Sequence, residues 1–193
     1  MFVTRFARQP FTFREYVELE ETSPDKHEFL EGEVWAITGG SPDHAGLAAK
    51  IIAMLGAAVQ GRPCRVFSSD LRIRVAETGL ASYPDASIVC GELELDPEDP
   101  KGHTVLNPLL LVEVLSPSTE AYDRGEKLAH YQRIASLREV LLLAHDEPRL
   151  DLWRRRSGSW TLSTHRPGDR VILTSLETAV LDIEALFRDP LKR

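Results

Sequence analysis

The sequence contains only two cysteines, Cys64 and Cys90. They are too few for a disulfide framework or a zinc–cysteine cluster, so we expect a reduced, cytoplasmic setting. No apolar run approaches the roughly 18 residues that a membrane span requires. The N-terminal stretch MFVTRFARQPFTF has no continuous apolar segment, which argues against a signal peptide. We therefore expect no membrane partner.

The sequence also lacks an excess of positive charge. Lysine and arginine number 23 against 30 aspartates and glutamates, a formal net charge of −7. This balance argues against a protein that coats nucleic acid non-specifically. It does not exclude a nuclease, because a bound metal can neutralise carboxylates and a basic surface can be confined to one part of the protein. A small-molecule hydrolase has no support, since the sequence contains no GxSxG nucleophile motif.

The hydrophobic pattern predicts helices and strands along the whole chain, with no repeat and no long linker, and so a single domain over residues 1–193. The order of elements predicts an α/β or α+β fold with a central mixed sheet flanked by helices. A C-terminal antiparallel meander is predicted at 149–173. The remaining predicted elements are helices at 12–21, 41–61, within 116–137 and at 182–187, a hairpin at 27–38, and strands at 65–77, 86–90, 109–115 and 139–146.

One carboxylate opens a predicted core strand, and another lies inside the next. Glu113 stands inside the apolar run LLLVEVL, where a charge is costly unless it is paired or bound to a metal. Asp85 follows Pro84 and opens the strand at 86–90. If the two strands are neighbours, both carboxylates lie near one end of the sheet, and such hard oxygen ligands suit Mg²⁺ or Mn²⁺. The alternative is structural: a turn aspartate and a buried Glu–Arg ion pair.

Five segments in order resemble the Uma2 (DUF820) family of predicted restriction endonucleases, within the PD-(D/E)XK nuclease superfamily. They are HEFLEGEVW, SPDHAGLAAKI, SSDLRI, YPDASIV and PLLLVEVLSPSTEAYDRGEKLAHYQ. The resemblance implies a restriction-endonuclease-like mixed sheet and Mg²⁺-dependent hydrolysis of phosphodiester bonds in DNA. It places Asp85 at the PD aspartate and Glu113 at the (D/E) position, so that both are expected to be catalytic and to bind the metal.

The sequence departs from the superfamily motif at Leu115, where a lysine is expected. Lys127 is the candidate substitute, and its alternative is an ordinary solvated lysine. Asp123 and Glu126 match a capping box, which would place Lys127 in the first turn of a helix. The departure keeps a second function open: a catalytically inactive nuclease-fold module that binds nucleic acid or a protein partner.

Two more residues complete the predicted site. Glu28, which precedes the hairpin glycine Gly32, matches a family acid that binds metal or positions water. His44 opens the second predicted helix, where backbone amides favour a phosphate, although such a histidine also serves as a cap or a packing residue. The segment WRRR (153–156) either contacts a DNA backbone or protects an edge strand. Because one centre cuts one strand, double-strand cleavage predicts a symmetric homodimer.

Overall fold

The computed structural model describes residues 10–37, 39–177 and 179–189. Within these ranges the helices are α1 (Phe13–Glu20), α2 (Pro42–Ala58), α3 (Glu120–Tyr122), α4 (Leu128–Tyr131) and α5 (Ile183–Phe187), with a π-helical turn at Asp123–Lys127 and a 3-10 turn at Thr174–Leu176. The strands are β1 (His27–Leu30), β2 (Glu33–Ala36), β3 (Cys64–Ser68), β4 (Arg72–Arg74), β5 (Ala81–Ser82), β6 (Ala86–Cys90), β7 (Thr104–Val105), β8 (Leu110–Val114), β9 (Glu139–Leu143), β10 (Leu150–Arg156), β11 (Ser159–His165), β12 (Arg170–Leu173) and β13 (Ala179–Asp182).

The central sheet has six strands in the order β11-β10-β9-β8-β6-β3. It is mixed, because β8 and β9 run parallel while the other neighbouring pairs are antiparallel. Successive side chains of β8 point to opposite faces. Val112 packs in the cluster that contains Ile51 of α2. Leu111 packs in the cluster that contains Leu128 of α4. The sheet therefore has helices on both faces, which confirms the predicted fold class.

A second sheet has five strands in the order β2-β1-β5-β4-β7. Its β1–β2 hairpin turns at Gly32, whose φ of +88° lies in the left-handed region. A Cβ there would lie 2.5 Å from the Cβ of Pro10, so glycine is required for both reasons. Helix α1 covers this sheet with Phe13 and Tyr16, which pack against Phe29. The hairpin lies inside the range predicted for it, 27–38. The last residue of that range, Thr38, is outside the described residues.

Two predicted segments are divided between sheets. The strand predicted at 65–77 is broken by a turn in which the Leu71 amide donates to the Ser68 carbonyl. As a result, β3 belongs to the central sheet and β4 to the second one. The predicted meander is also interrupted: β10 pairs with β11, but β12 pairs with β13 in a separate two-stranded sheet. The alternating pattern shows where strands occur but not which sheet each strand joins.

The two cysteines differ from the reduced thiols expected from the sequence. Cys64 and Cys90 face each other across the antiparallel β3–β6 pair and form a disulfide. A count of cysteines misses a single cross-strand pair, because strand register brings the two sulfur atoms together. None of the helices in the described ranges has the length and apolar character that a bilayer crossing needs.

Candidate active site

The register of the central sheet brings Asp85 and Glu113 to the same place. Strands β6 and β8 are neighbours, with Ala86 opposite Val112. The next pair outward is therefore Asp85 opposite Glu113, and opposite residues share a face of the sheet. The backbone N–H of Val114 donates to Asp85 Oδ2 at 2.7 Å and fixes that carboxylate at the strand end. Both side chains line one cavity of about 760 Å³.

Lys127 lies at the centre of the carboxylates and is only 6% exposed. Its Nζ is 2.8 Å from Glu28 Oε1 and 3.1 Å from Glu113 Oε1. Asp123 Oδ1 is 3.5 Å away. Burial alone would lower the pKa of Lys127, but attraction by Glu113, Glu28 and Asp123 outweighs it and raises that pKa well above its ordinary value. The ammonium therefore stays charged and joins β1, β8 and the helical segment.

The helical segment begins earlier than the capping box predicts. It starts at Glu120, after Thr119, and the five residues Asp123–Lys127 form the π-helical turn. Asp123 is buried and faces the Lys127 ammonium instead of capping a helix. The prediction of a cap at Asp123 and Glu126 is therefore wrong. The spacing of four residues between Asp123 and Lys127 was the better signal, because such pairs face each other on a helix.

Two carboxylates of the site, Asp85 and Glu113, are held in an environment that disfavours their charged form. Burial raises the pKa of Glu113 to about 8; Lys127 opposes this shift, while repulsion by Asp123 and Asp85 adds to it. Burial also raises the pKa of Asp85, although the nearby His44 opposes the shift. One buried ammonium faces several carboxyl groups, so the cavity has more acidic groups than basic ones.

A divalent cation would relieve this excess. Asp85 and Glu113 offer hard oxygen ligands on one face of the sheet, which suits Mg²⁺ held by one or two carboxylates together with water and substrate phosphate. Across the part of the chain that the structure describes, no group of three or more His, Cys, Asp or Glu side chains is arranged so that it could hold a metal ion. Asp85 and Glu113 are the two carboxylates available to such an ion, and water or substrate would complete its coordination.

His44 is placed beside Asp85 by the start of α2. Its backbone N–H donates to the N-cap Ser41 Oγ at 3.2 Å, and its Nε2 is 3.5 Å from Asp85 Oδ2. A Cβ on Gly40 would lie 2.5 Å from the imidazole ring, so the close approach of that loop requires glycine. His44 thus contacts a carboxylate of the site, where the sequence suggested a phosphate.

Several residues in or beside the cavity were not predicted. The Tyr131 hydroxyl donates to Glu113 Oε1 at 2.6 Å and lies 2.8 Å from Ser82 Oγ. Tyr131 follows Lys127 by four residues, so helical periodicity placed it on the same face, whereas Ser82 comes from the second sheet and had no sequence signal. Trp35, Tyr122 and His145 line the cavity itself.

Arginines of the basic segment at 153–156 form hydrogen bonds with other parts of the same chain. Arg154 Nε donates to the buried Glu139 at 2.7 Å. One terminal nitrogen of Arg155 donates to the backbone carbonyls of Gln132 and Ile134. These contacts give both arginines a structural role at the sheet, away from the residues that line the cavity.

The mixed sheet thus brings carboxylates and a buried lysine together at one strand end. The Uma2 profile, described as "Putative restriction endonuclease", matches residues 13–184, and the chain belongs to this family. It is 35% identical over 164 residues to the uncharacterized protein slr1290 of Synechocystis sp., covering 84% of each chain. It is 34% identical over 132 residues to sll1609, also uncharacterized and from the same organism, covering 68% of this chain and 73% of the relative.

A solved structure shares the fold. The crystal structure of a "putative nuclease belonging to DUF820" from Anabaena variabilis superposes with a TM-score of 0.70 at 17% sequence identity. The match covers 89% of this chain and 96% of the other. At this identity the similarity supports the architecture, and the chemistry must be argued from the residues themselves.

Proposed function

We propose that the protein is a metal-dependent endonuclease that hydrolyses phosphodiester bonds in DNA. The observation that carries this proposal is the convergence of Glu28, Asp85 and Glu113, from separate elements, on one cavity that also contains the buried ammonium of Lys127. Such an arrangement is costly for folding alone, because it leaves carboxylates with raised pKa values in a buried place.

Asp85 and Glu113 are the residues that would hold Mg²⁺ or Mn²⁺. A bound cation supplies Lewis-acid stabilisation of a phosphoryl oxygen and a more acidic water molecule. Lys127 supplies a fixed positive charge that orients the attacking water or stabilises charge on the phosphoryl group. Glu28 holds Lys127 in place at 2.8 Å. This contact favours a positioning role for Glu28 over a role as metal ligand.

Cleavage of supercoiled plasmid DNA by purified protein tests the proposal. We expect cleavage in Mg²⁺ or Mn²⁺, none in EDTA, and a large loss in Asp85→Asn and Glu113→Gln. The exposed residues Asp25 and Glu92 provide matched controls, because Asp25→Asn and Glu92→Gln make the same chemical changes away from the cavity. Calorimetric titration with Mn²⁺ should show binding that both site variants lose. Equal cleavage by site and control variants would contradict the assignment.

A specific observation favours the second function, a catalytically inactive module that binds nucleic acid or a protein partner. Leu115, which stands where the superfamily motif has lysine, is fully buried in the apolar cluster on the α4 side of the sheet. If the purified protein binds DNA but cleaves none in any divalent metal, this function replaces the nuclease.

We also propose a homodimer, because double-strand cleavage in one encounter requires two centres. Static light scattering should give twice the chain mass of 21.6 kDa. The products provide a second readout, since a dimer converts plasmid directly to linear DNA while a single centre accumulates nicked circles. A monomer that produces only nicks would contradict the dimer and leave the nuclease in place.

A further inference from the structure

The cavity has an aromatic wall formed by Trp35 and Tyr122. Trp35 is opposite Glu28 in the β1–β2 register and therefore shares its face of the second sheet. Tyr122 directly precedes Asp123. The two rings meet edge to face, with centroids 6.3 Å apart and planes at 83°. Since Glu28 and Asp123 both contact the Lys127 ammonium, the aromatic wall lies beside the charged centre.

The aromatic wall suits a nucleobase and not a phosphate backbone. Glu33 and Glu126 line the cavity with the carboxylates already described, so a second phosphate would meet negative charge. A neutral base meets no such repulsion and gains by stacking on an aromatic ring. A volume of about 760 Å³ is large enough for a nucleotide.

Tyr122 adds a hydrogen-bonding group to this wall. Its hydroxyl is buried and has no hydrogen-bond partner among the residues that the structure describes. Burial, with repulsion by Glu28, raises the pKa of Tyr122, so the hydroxyl keeps its proton. It is available as a donor to an acceptor atom on a base edge.

We propose that Trp35 and Tyr122 hold an unpaired nucleobase beside the scissile phosphate, and that the preferred substrate is single-stranded DNA or DNA with unpaired nucleotides. The inference rests on the proposed nuclease function. A base inside an intact duplex is already stacked and paired and has to be extruded before it reaches such a cavity. An unpaired base enters without that cost.

Binding of two matched single strands tests the base platform directly. One is a thymidine dodecamer, and the other is an abasic dodecamer with the same phosphates and no bases; both are measured in Ca²⁺. We expect wild type to prefer the thymidine strand by roughly five- to 150-fold, the range measured for one base–aromatic stack. Trp35→Leu should bind both strands equally, and Trp35→Phe should fall between. Equal binding by wild type, or an unchanged preference in Trp35→Leu, would overturn the proposal.

Two controls separate stacking from a general loss of structure. Trp160 lies on β11, outside the cavity, and Trp160→Leu should keep the wild-type preference. The chain has three tryptophans, so the double variant Trp153→Phe/Trp160→Phe retains Trp35 as the only one. Its fluorescence should be quenched by the thymidine strand and not by the abasic strand. Equal quenching by both strands would count against stacking on Trp35.

Cleavage then distinguishes the two proposals. In Mg²⁺ we expect a single strand, or a duplex with an unpaired stretch, to be cut at least tenfold faster than a fully paired duplex of the same sequence. A paired duplex cut equally fast would overturn the platform while the nuclease function stands. A base preference in binding with no cleavage of any DNA would overturn the nuclease function while the platform stands.

Discussion

Two of the buried clusters of charged side chains in the described residues are built in opposite ways. Around Arg72, which is 2% exposed, each guanidinium nitrogen has a partner: Nε donates to Thr104 Oγ1, one terminal nitrogen to the Tyr83 hydroxyl and the other to Asp99 Oδ2. The two charges are matched one to one. Around Lys127, one ammonium faces the carboxylates of Glu28, Glu113 and Asp123.

The electrostatic consequences differ in sign. Burial opposes the charge of Asp99, but hydrogen bonds from Thr104 and Arg72 outweigh it and lower the pKa of Asp99. Burial of Glu113 is not offset in this way, and its pKa is raised to about 8. The Arg72 cluster is complete without any other molecule. The Lys127 cluster has more carboxyl groups than positive charges. A cation-binding site requires this excess, and a structural ion pair lacks it.

The largest expected effect comes from breaking the complete cluster. Asp99→Asn leaves the buried Arg72 guanidinium without an opposite charge, and we expect a loss of about 3–5 kcal/mol in the free energy of unfolding. Urea denaturation measures it. The exposed Asp25 supplies the control, since Asp25→Asn should change stability by less than about 0.5 kcal/mol. Similar values for the two variants would show that the Arg72 pair adds little.

The next effect is on catalysis. Lys127→Met keeps most of the side-chain stem and removes the charge, and we expect cleavage to fall by about 10²–10³-fold, as when one transition-state donor is lost. Plasmid cleavage in Mg²⁺ measures it, and Lys101→Met, at an exposed lysine, is the control. Circular dichroism and Mn²⁺ titration should show that the fold and the metal site persist. Cleavage at the wild-type rate would make Lys127 an ion-pairing residue only.

The pH dependence of stability should distinguish the clusters in EDTA. Unfolded Glu113 loses its proton near 4.5 and folded Glu113 near 8, so the native state binds more protons between these values. Its contribution to stability is present below pH 4.5 and is lost as pH rises to about 8. The lowered pKa of Asp99 acts in the opposite direction, since its contribution is lost as pH falls through that pKa.

Urea midpoints between pH 4.5 and 8 measure this decline. Glu113→Gln should flatten it, and Mg²⁺ should reduce it in wild type because a bound cation favours the ionised carboxylate. The control Glu92→Gln should keep the wild-type slope. A slope that is the same in Glu113→Gln as in wild type would assign the decline to another group.

The smallest effect is expected at Asp85. Asp85→Asn keeps an acceptor for the Val114 amide and removes a charge that burial and Asp123 disfavour. In EDTA we expect the free energy of unfolding of this variant to equal that of wild type or to exceed it by about 1 kcal/mol, since one pKa unit corresponds to about 1.4 kcal/mol. Stability measured in Mn²⁺ should instead fall below wild type. A loss of several kcal/mol in EDTA would identify Asp85 as a structural ion-pair partner of His44.

The sequence contained enough information to locate β6 and β8, with Asp85 just before the first strand and Glu113 within the second. An apolar run that encloses Glu113 is unusual, and a proline before Asp85 marks a strand start, so local patterns carried that part of the fold. The alternation of apolar residues likewise indicated a mixed sheet with helices. These features depend on neighbours in sequence.

What the sequence did not predict depends on neighbours in space. The contact of Ser82 with Tyr131 and that of Trp35 with Tyr122 join the second sheet to the helical segment, and no short-range pattern sets how those elements meet. The Cys64–Cys90 bond follows from the register of β3 with β6.

The π-helical turn at Asp123–Lys127 bears on which length changes this protein tolerates. Each residue of a helix turns the chain by about 100°, so one deletion between Thr119 and Lys127 would swing the ammonium away from Glu28 and Glu113. Positions such as Gly125, where an added Cβ would meet nothing within 4 Å, have room to vary. Among natural variants, we therefore expect this stretch to differ in composition but keep its length.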